Sequence, residues 1–283
     1  IPLLFFAFVF PWTHLPFNKL THWGQLLTHL FMCHNVSELS VCAINTSYWT
    51  LAVEVQLYAL FPLLLLFVRR SSYLRVLIVL AIIEFSLRAF ANVVYDIPGS
   101  FAPAFIRASP FFYCFSWASG AALAEAYLAG KRLPFAKVHP MFWFAIGLLT
   151  SPYPTNAYAF PFFALATVSY LSRRFDREAT EQKLSPLRRY IRITGTYSYS
   201  IYLIHTPILM AVYQLAEARF PGLDKNPFPL FAIGVCIWPF IFPLGALMYY
   251  WVEKPSIELG RRLLRRRSQR PEHGFTLASE TAP

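Results

Sequence analysis

The chain has little charge and little cysteine for its length. Of its 283 residues only 14% are Asp, Glu, Lys or Arg, whereas 57% are hydrophobic and 18% aromatic. This composition, with 22 prolines, argues against a soluble helical domain. The four cysteines show no framework pattern, which argues against a disulfide scaffold. Cys33 and Cys42 could pair in an oxidising compartment, and the sequence leaves this open.

Several common catalytic motifs are also missing. The sequence contains no glycine-rich P-loop, no G-x-S-x-G turn, no H-E-x-x-H pair and no paired C-x-x-C. It therefore gives no support for NTP hydrolysis, for serine-hydrolase chemistry on the corresponding fold or for the common zinc sites. We expect neither a bound metal nor a bound cofactor.

Long apolar segments dominate what is present. A helix needs about 20 apolar residues to cross the roughly 30 Å hydrocarbon core of a bilayer. We predict an all-α fold, a polytopic transmembrane helix bundle with about seven full spans. The spans are expected at residues 48–68, 73–91, 110–129, 156–172, 193–216 and 228–252, with a shorter aromatic one at 139–151.

The two ends of the chain differ from this core. Residues 1–11 are apolar but have no initiator Met, basic flank or cleavage site, so we expect a truncated first span there. Residues 253–267 are typical of a juxtamembrane amphipathic helix, and 268–283 of a disordered cytoplasmic tail. The transmembrane domain is therefore assigned to residues 1–267.

Basic residues are concentrated in alternate loops. Twenty of the 25 Lys and Arg residues lie in segments 69–75, 130–138, 173–192 and 254–270. Because cytoplasmic loops carry the basic excess, these segments and the C-terminus are predicted to be cytoplasmic, in an integral protein of the plasma (inner) membrane. This topology and attraction to anionic membrane lipids explain the net charge of +11, and we expect no nucleic-acid partner.

A carboxyl group inside an apolar segment is the strongest functional signal. An ionised carboxylate near the bilayer centre costs roughly 2.5 to 3.5 kcal/mol, so Glu54 is expected to face a protein interior or a wet cavity. Helical spacing places Glu54 and Tyr58 on one face and Gln56 on another. A shared site of the carboxyl and the phenol is one interpretation, and a structural hydrogen-bond anchor between helices is the other.

Three further groups of polar residues are candidates. Ser198, Tyr202 and His205 fall on one face of the 193–216 span, although a lone histidine in a helix is often a packing residue. Glu84 and Arg88 have the i,i+4 order that favours a helix ion pair, which could be purely structural. The cytoplasmic Arg188, Arg189 and Arg192 could bind phosphates, although the topology alone already accounts for them.

Three ordered segments resemble the integral-membrane acyltransferase 3 family. The stretch from Trp49 to Pro62 is similar to that family's W-S-L-x-x-E-x-x-x-Y-x-x-x-P signature. Residues 195–207 resemble its G-x-x-S-Y-S-x-Y-L-x-H-x-P span, and residues 250–255 its closing E-x-P segment. The matches are ordered along nearly the whole chain, whereas residues 107–120 fit the R-x-x-x-F-F…G element only loosely.

The resemblance implies a membrane O-acyltransferase. Such an enzyme moves an acyl group, most often acetyl, from acyl-CoA to a hydroxyl of a carbohydrate or lipid-linked acceptor. It implies catalytic roles for Glu54, Tyr58, Tyr202 and His205. Substrate contacts are expected from Trp49, Ser198, Glu84 and Arg88, and donor-phosphate contacts from Arg188, Arg189 and Arg192.

The same resemblance also exposes a gap. Family members begin with spans carrying an arginine, an essential histidine and an S-G-F motif, and none of these matches here. The expectation is a chain that lacks those spans and is inactive without them. Two other function classes stay open: a transporter or flippase that uses the buried charges as a relay, and a non-catalytic scaffold or fragment.

Overall fold

The structure is a computed structural model that describes residues 19–95, 102–175, 186–223 and 227–268. Within these ranges the regular structure is helical, with no strand. The chain divides into two compact units whose boundary falls between residues 183 and 184. Each unit is described by itself.

The described residues of the first unit form seven α-helices, and several of the segments that connect them contain a 3₁₀ helix. The helices are α1 (Lys19–Leu30), α2 (Trp49–Arg70), α3 (Tyr73–Tyr95), α4 (Ala104–Arg107), α5 (Cys114–Leu128), α6 (Pro140–Thr150) and α7 (Ala159–Phe175). Helices α2 and α3 are almost uninterrupted apolar runs, and a turn at Ser71 separates them. With so short a connection the two helices form a hairpin.

The core of the first unit lies where α2, α3, α5 and α7 meet. Leu64, Leu77, Ala118 and Leu165 are buried together there, one from each helix. Small residues allow close approach elsewhere in the unit. A Cβ at Gly147 of α6 would lie 2.6 Å from the ring of Phe163 of α7, so these two helices pack too closely for any larger residue.

The second unit is built on two long helices. These are α8 (Pro186–Arg219) and α9 (Pro227–Met248), followed by a π-helical segment (Tyr249–Glu253) and α10 (Lys254–Ser268). Ile201, Ile237 and Ile241 form the buried contact between α8 and α9. Gly245 makes their close approach possible, because a Cβ there would overlap the side chain of Ile201.

Within the described ranges, three helical stretches are long and apolar enough to cross a membrane: Trp49–Arg70, Tyr73–Tyr95 and Phe231–Arg265. Only 17% to 22% of each apolar window is buried inside the protein, so most of its side chains would face lipid. The apolar α6 is shorter, at 11 residues, and α5 has 15 residues, which is about 22 Å.

Every segment predicted as a span contains a helix, so the all-helical prediction is confirmed. The predicted count of about seven full spans is not, because among the described residues only these three stretches meet the requirement. The predicted juxtamembrane helix is present as α10. The predicted truncated span at 1–11 and the tail after Ser268 lie outside the described residues.

Candidate functional site

Glu54 and Tyr58 form a hydrogen-bonded pair on α2, as their helical spacing predicts. The Tyr58 hydroxyl donates to Glu54 Oε1 at 2.5 Å. Tyr58 is 56% exposed and Glu54 is half-buried. Among the described residues no hydrogen bond reaches Glu54 Oε2. The Tyr58 ring meets Trp117 of α5 edge-on, at 6.0 Å between centroids.

Gln56 faces a different direction from the pair and holds the loop after α1. Its amide exchanges two hydrogen bonds with the Asn35 amide, at 3.0 and 2.8 Å, and donates another to the Met32 carbonyl. Asn35 is buried and also donates to the Ala108 carbonyl at 2.8 Å. This amide pair fixes the loop against α2 beside the Glu54 helix turn.

Trp49 lies at the start of α2, where it packs between two small core clusters. It contacts the cluster of Val41, Ala104 and Ala108 and that of Val53, Leu57 and Cys114. Its ring also lies 6.0 Å from the Tyr113 ring. These contacts account for Trp49 as a packing residue, and its predicted substrate contact stays a prediction.

Glu84 on α3 is fully buried, and both of its oxygens accept hydrogen bonds from α5. Oε2 accepts from the backbone N–H groups of Phe115 and Ser116, at 2.9 and 3.1 Å, and Oε1 from the Ser116 hydroxyl at 2.7 Å. These N–H groups belong to the first turn of α5, which has no partners of its own within the helix. Glu84 therefore caps α5 from a neighbouring helix, where its charge also favours the helix dipole.

Arg88 completes this network one turn along α3. Its guanidinium bonds Glu84 Oε1 at 3.0 and 3.2 Å and donates to the carbonyls of Phe112 and Ala157, both at 2.6 Å. It also lies 4.3 Å from the Phe112 ring centroid. The predicted ion pair is confirmed, and its partners are main-chain groups of the fold. A substrate contact of Glu84 or Arg88 stays a prediction.

In the second unit, polar side chains on one face of α8 make hydrogen bonds within their own helix. His205 Nδ1 lies 2.8 Å from the Tyr202 carbonyl, and Nε2 lies 3.1 Å from the Thr206 hydroxyl. The Ser198 hydroxyl donates to the Gly195 carbonyl at 2.8 Å. The Tyr202 and His205 rings are 5.6 Å apart. The structure thus brings Tyr202 and His205 together, with both imidazole nitrogens engaged by their own helix.

The predicted phosphate ligands lie in the first turns of α8. Arg189 and Arg192 are exposed, and no carboxylate of the described residues pairs with them. The side chain of Arg188 lies outside the described part of the structure. Two exposed guanidinium groups three residues apart could contact a phosphate, and that role stays a prediction.

A buried contact that the sequence did not reveal joins α8 to the π-helical segment. Ser200 is fully buried and donates its hydroxyl to Glu253 Oε2 at 2.6 Å. One turn away, the Tyr197 and Tyr250 hydroxyls lie 3.2 Å apart. The extra residue of a π turn changes the direction of the side chains that follow, which aims Glu253 at Ser200.

The sequence also did not predict that two histidines, one at the end of α1 and one in the loop that follows it, stack on each other. The His29 and His34 rings are parallel, with centroids 3.8 Å apart, and both side chains are buried. His29 Nδ1 bonds the Gln25 carbonyl at 2.8 Å. Burial and the neighbouring His34 lower the pKa of His29 to about 4, and burial lowers the pKa of His34. Both rings are neutral at pH 7.

No cluster of three or more metal-ligating side chains occurs among the described residues. The two histidines of the stacked pair do not form a chelate, because parallel rings direct their lone pairs side by side rather than toward one ion.

Comparison with known families matches residues 1–251 to the acyltransferase domain of the acyltransferase 3 type. The match covers most of the chain. The chain belongs to this acyltransferase family. No curated protein and no solved structure matches it. Together with the apolar α2, α3 and α9, the family match identifies a membrane acyltransferase, and it confirms the family that the sequence resemblance indicated.

Proposed function

We propose that this membrane acyltransferase moves an acyl group, acetyl by preference, from acyl-CoA to a hydroxyl of a carbohydrate or lipid-linked acceptor. The observation that carries the proposal is the Glu54–Tyr58 pair, a half-buried carboxylate inside an apolar helix with one oxygen bonded to Tyr58 and the other without a hydrogen bond from the residues that the structure describes. A carboxylate in this setting is costly unless it serves a function.

The chemistry requires a base and a stabilised carbonyl oxygen. The acceptor oxygen attacks the thioester carbon, its proton passes to a base, and the bond from carbon to sulfur breaks to release CoA. An alcohol is a poor nucleophile until its proton is removed, and an imidazole held by a carboxylate is a common base. In this proposal Glu54 orients such an imidazole through its open oxygen, and Tyr58 keeps the carboxylate in place.

Roles in binding are proposed for side chains of α8. Tyr202 is proposed to donate a hydrogen bond to the acceptor or to the thioester oxygen, and His205 to do so once its ring has turned away from the Tyr202 carbonyl or the Thr206 hydroxyl. Arg189 and Arg192, exposed at the start of α8, are proposed to contact the phosphates of the donor. Both roles rest on the family membership and on the chemistry of these side chains.

The orientation is part of the proposal, because the donor and the acceptor would approach from opposite sides. In this proposal the start of α8 and the C-terminus lie in the cytoplasm of a plasma-membrane protein, as the distribution of basic residues among the loops predicts. A tag after Pro283 should then be accessible from the cytoplasm, and a cysteine at position 100 should react with an impermeant reagent from outside. Access to both from one side would refute the orientation.

Acyl transfer is tested with membrane vesicles that contain the full protein and acetyl-CoA labelled in the acetyl group. We expect alkali-labile label in membrane or polysaccharide material, and release of free CoA in equal amount. Vesicles with Glu54→Gln protein serve as the control. Label that crosses the membrane without forming an ester would instead identify a transporter. If neither ester formation nor transport is observed, the scaffold interpretation is supported.

A further inference from the structure

A deep apolar groove runs along the hairpin of α2 and α3. Its volume is about 600 Å³, and the first turn of α5 closes one end with Cys114 and Trp117. The walls are formed by hydrocarbon side chains of both helices, which include Leu60, Leu63, Phe67, Val76, Val79 and Ile83. From Leu57 to Arg70 the groove follows 14 residues of α2, about 21 Å, or roughly two thirds of the hydrocarbon thickness.

The other end of the groove is basic. Arg70, Ser71 and Arg75 line it where the hairpin turns, and both arginine side chains are exposed. Among the described residues the ion pairs join Glu84 to Arg88 and Glu38 to Arg107, so no carboxylate neutralises Arg70 or Arg75. Two unpaired cations thus stand at the mouth of a hydrocarbon slot that ends at the membrane surface.

We propose that the groove binds one acyl chain of an anionic phospholipid, with the lipid phosphate held by Arg70 and Arg75. The charge distribution selects this occupant. An acyl chain needs no hydrogen bond, and the walls away from the turn are hydrocarbon or aromatic. A phosphate at the surface needs cations, and basic pockets between transmembrane helices bind such head groups.

Topology alone does not account for this arrangement. The neighbouring Arg69 satisfies the same preference for basic loops, yet it does not line the groove. Arg70 and Arg75 come from different helices and reach the same slot. The far end is closed by Trp117, whose ring contacts Tyr58. A bound acyl chain therefore ends beside the Glu54–Tyr58 pair and adds apolar packing to one side of it.

The test uses the full protein in phosphatidylcholine vesicles with a trace of phosphatidylglycerol that carries a diazirine in its acyl chain. After irradiation, we expect adducts on residues 57–83 and 111–118, and unlabelled phosphatidylglycerol should compete for them. The variant Arg70→Gln/Arg75→Gln should bind phosphatidylglycerol about thirtyfold more weakly, at about 1 kcal/mol per cation. The matched variant Arg69→Gln should bind as the wild type does.

A second pair of variants tests the groove itself. Val79→Trp fills the groove. Ile78→Trp places the same bulk on the preceding residue of α3, which is exposed and does not line the groove. Only Val79→Trp should lose the adducts. Thermal unfolding of each variant confirms that it is folded.

Three results would overturn the proposal. Equal competition by phosphatidylcholine would exclude recognition of the phosphate. Adducts spread over all lipid-facing helices would indicate an ordinary annular lipid. An absence of adducts in the groove of the folded wild-type protein would indicate that a protein helix covers it. None of these readouts depends on acyl transfer.

Discussion

Two glutamates in neighbouring apolar helices have opposite surroundings. Glu84 on α3 is fully buried and receives hydrogen bonds from Arg88, Phe115 and Ser116. Glu54 on α2 is half-buried and receives one, from Tyr58. Each has its partner four residues along the helix, so the sequence pattern is the same. The two carboxylates differ in how many hydrogen bonds they accept from the described residues of the protein.

This difference separates two reasons for a carboxylate in an apolar helix. The oxygens of Glu84 are occupied by main-chain and side-chain donors that fix α3 to α5, so its charge serves the fold. Within the described part of the chain one oxygen of Glu54 accepts no hydrogen bond, and we propose that its charge acts on a substrate or on another catalytic group. Replacing each residue should therefore damage a different property.

The largest effect is expected for Arg88→Met. The change leaves the buried Glu84 without its counter-ion and leaves two carbonyls without a donor. Breaking a buried pair from one side typically costs 3 to 5 kcal/mol, so we expect strong loss of folded protein. The measurement is the unfolding free energy in detergent or, failing that, folded yield. The double variant Glu84→Gln/Arg88→Met should recover part of the loss, and equal loss in both would contradict this account.

The next effect is on turnover. Glu54→Gln keeps the volume and can still accept from Tyr58, but it removes the charge. We expect turnover per folded molecule to fall by at least about 10²-fold, with membrane insertion unchanged or improved. Glu125→Gln, at an exposed position on α5, is the matched control and should keep its activity. Wild-type turnover in a well-folded Glu54→Gln protein would remove Glu54 from the proposed mechanism.

The stacked His29 and His34 extend the comparison to buried ionisable groups that have few hydrogen-bond partners. Because the pKa of His29 in the folded protein is about 4, unfolded chains bind a proton below about pH 6.5 that folded chains do not. Stability should therefore fall as the pH decreases from about 6.5 to about 4, by about 1.4 kcal/mol per pH unit for this residue. The shift at His34 acts in the same direction.

Denaturant unfolding at several pH values measures this slope. The variant His29→Phe keeps an aromatic ring in the stack and cannot titrate, so its slope should be lower by about one proton. An unchanged slope would assign the pH dependence to other groups.

The smallest effect is expected for Tyr58→Phe. It removes the hydroxyl that bonds Glu54 Oε1 but keeps the ring against Trp117. The Glu54 carboxylate and its charge remain, and one net hydrogen bond contributes only about 1 kcal/mol, so we expect turnover to fall about tenfold or less. Stability should change little. A loss as large as that of Glu54→Gln would show that the phenol itself takes part in the reaction.

The sequence predicted the elements that depend on local patterns. The apolar runs predicted α2 and α3 to within a few residues, and i,i+4 spacing predicted both glutamate pairs. It missed the start of α8, predicted at 193 and found at Pro186. Hydropathy ends a span at the first charges, whereas arginine is a good helix former and proline is accepted in a first turn.

The long-range contacts could not be predicted. Phe115 and Ser116 lie 31 and 32 residues from Glu84, and Asn35 lies 21 residues from Gln56. Nothing in their local sequence distinguishes them from other small polar or aromatic residues. The π segment is equally hidden, because one additional residue per turn arises from packing between helices and not from a composition.

The cap that Glu84 provides to α5 has a consequence for how the protein enters the membrane. Helix α5 is about 22 Å long, too short to cross the hydrocarbon core alone. Each unsatisfied N–H group of its first turn would cost several kcal/mol in lipid. Helix α3 is synthesised first, so its carboxylate is already present when α5 leaves the ribosome. We therefore expect the translocon to release α5 into the bilayer only together with α3, as one insertion unit.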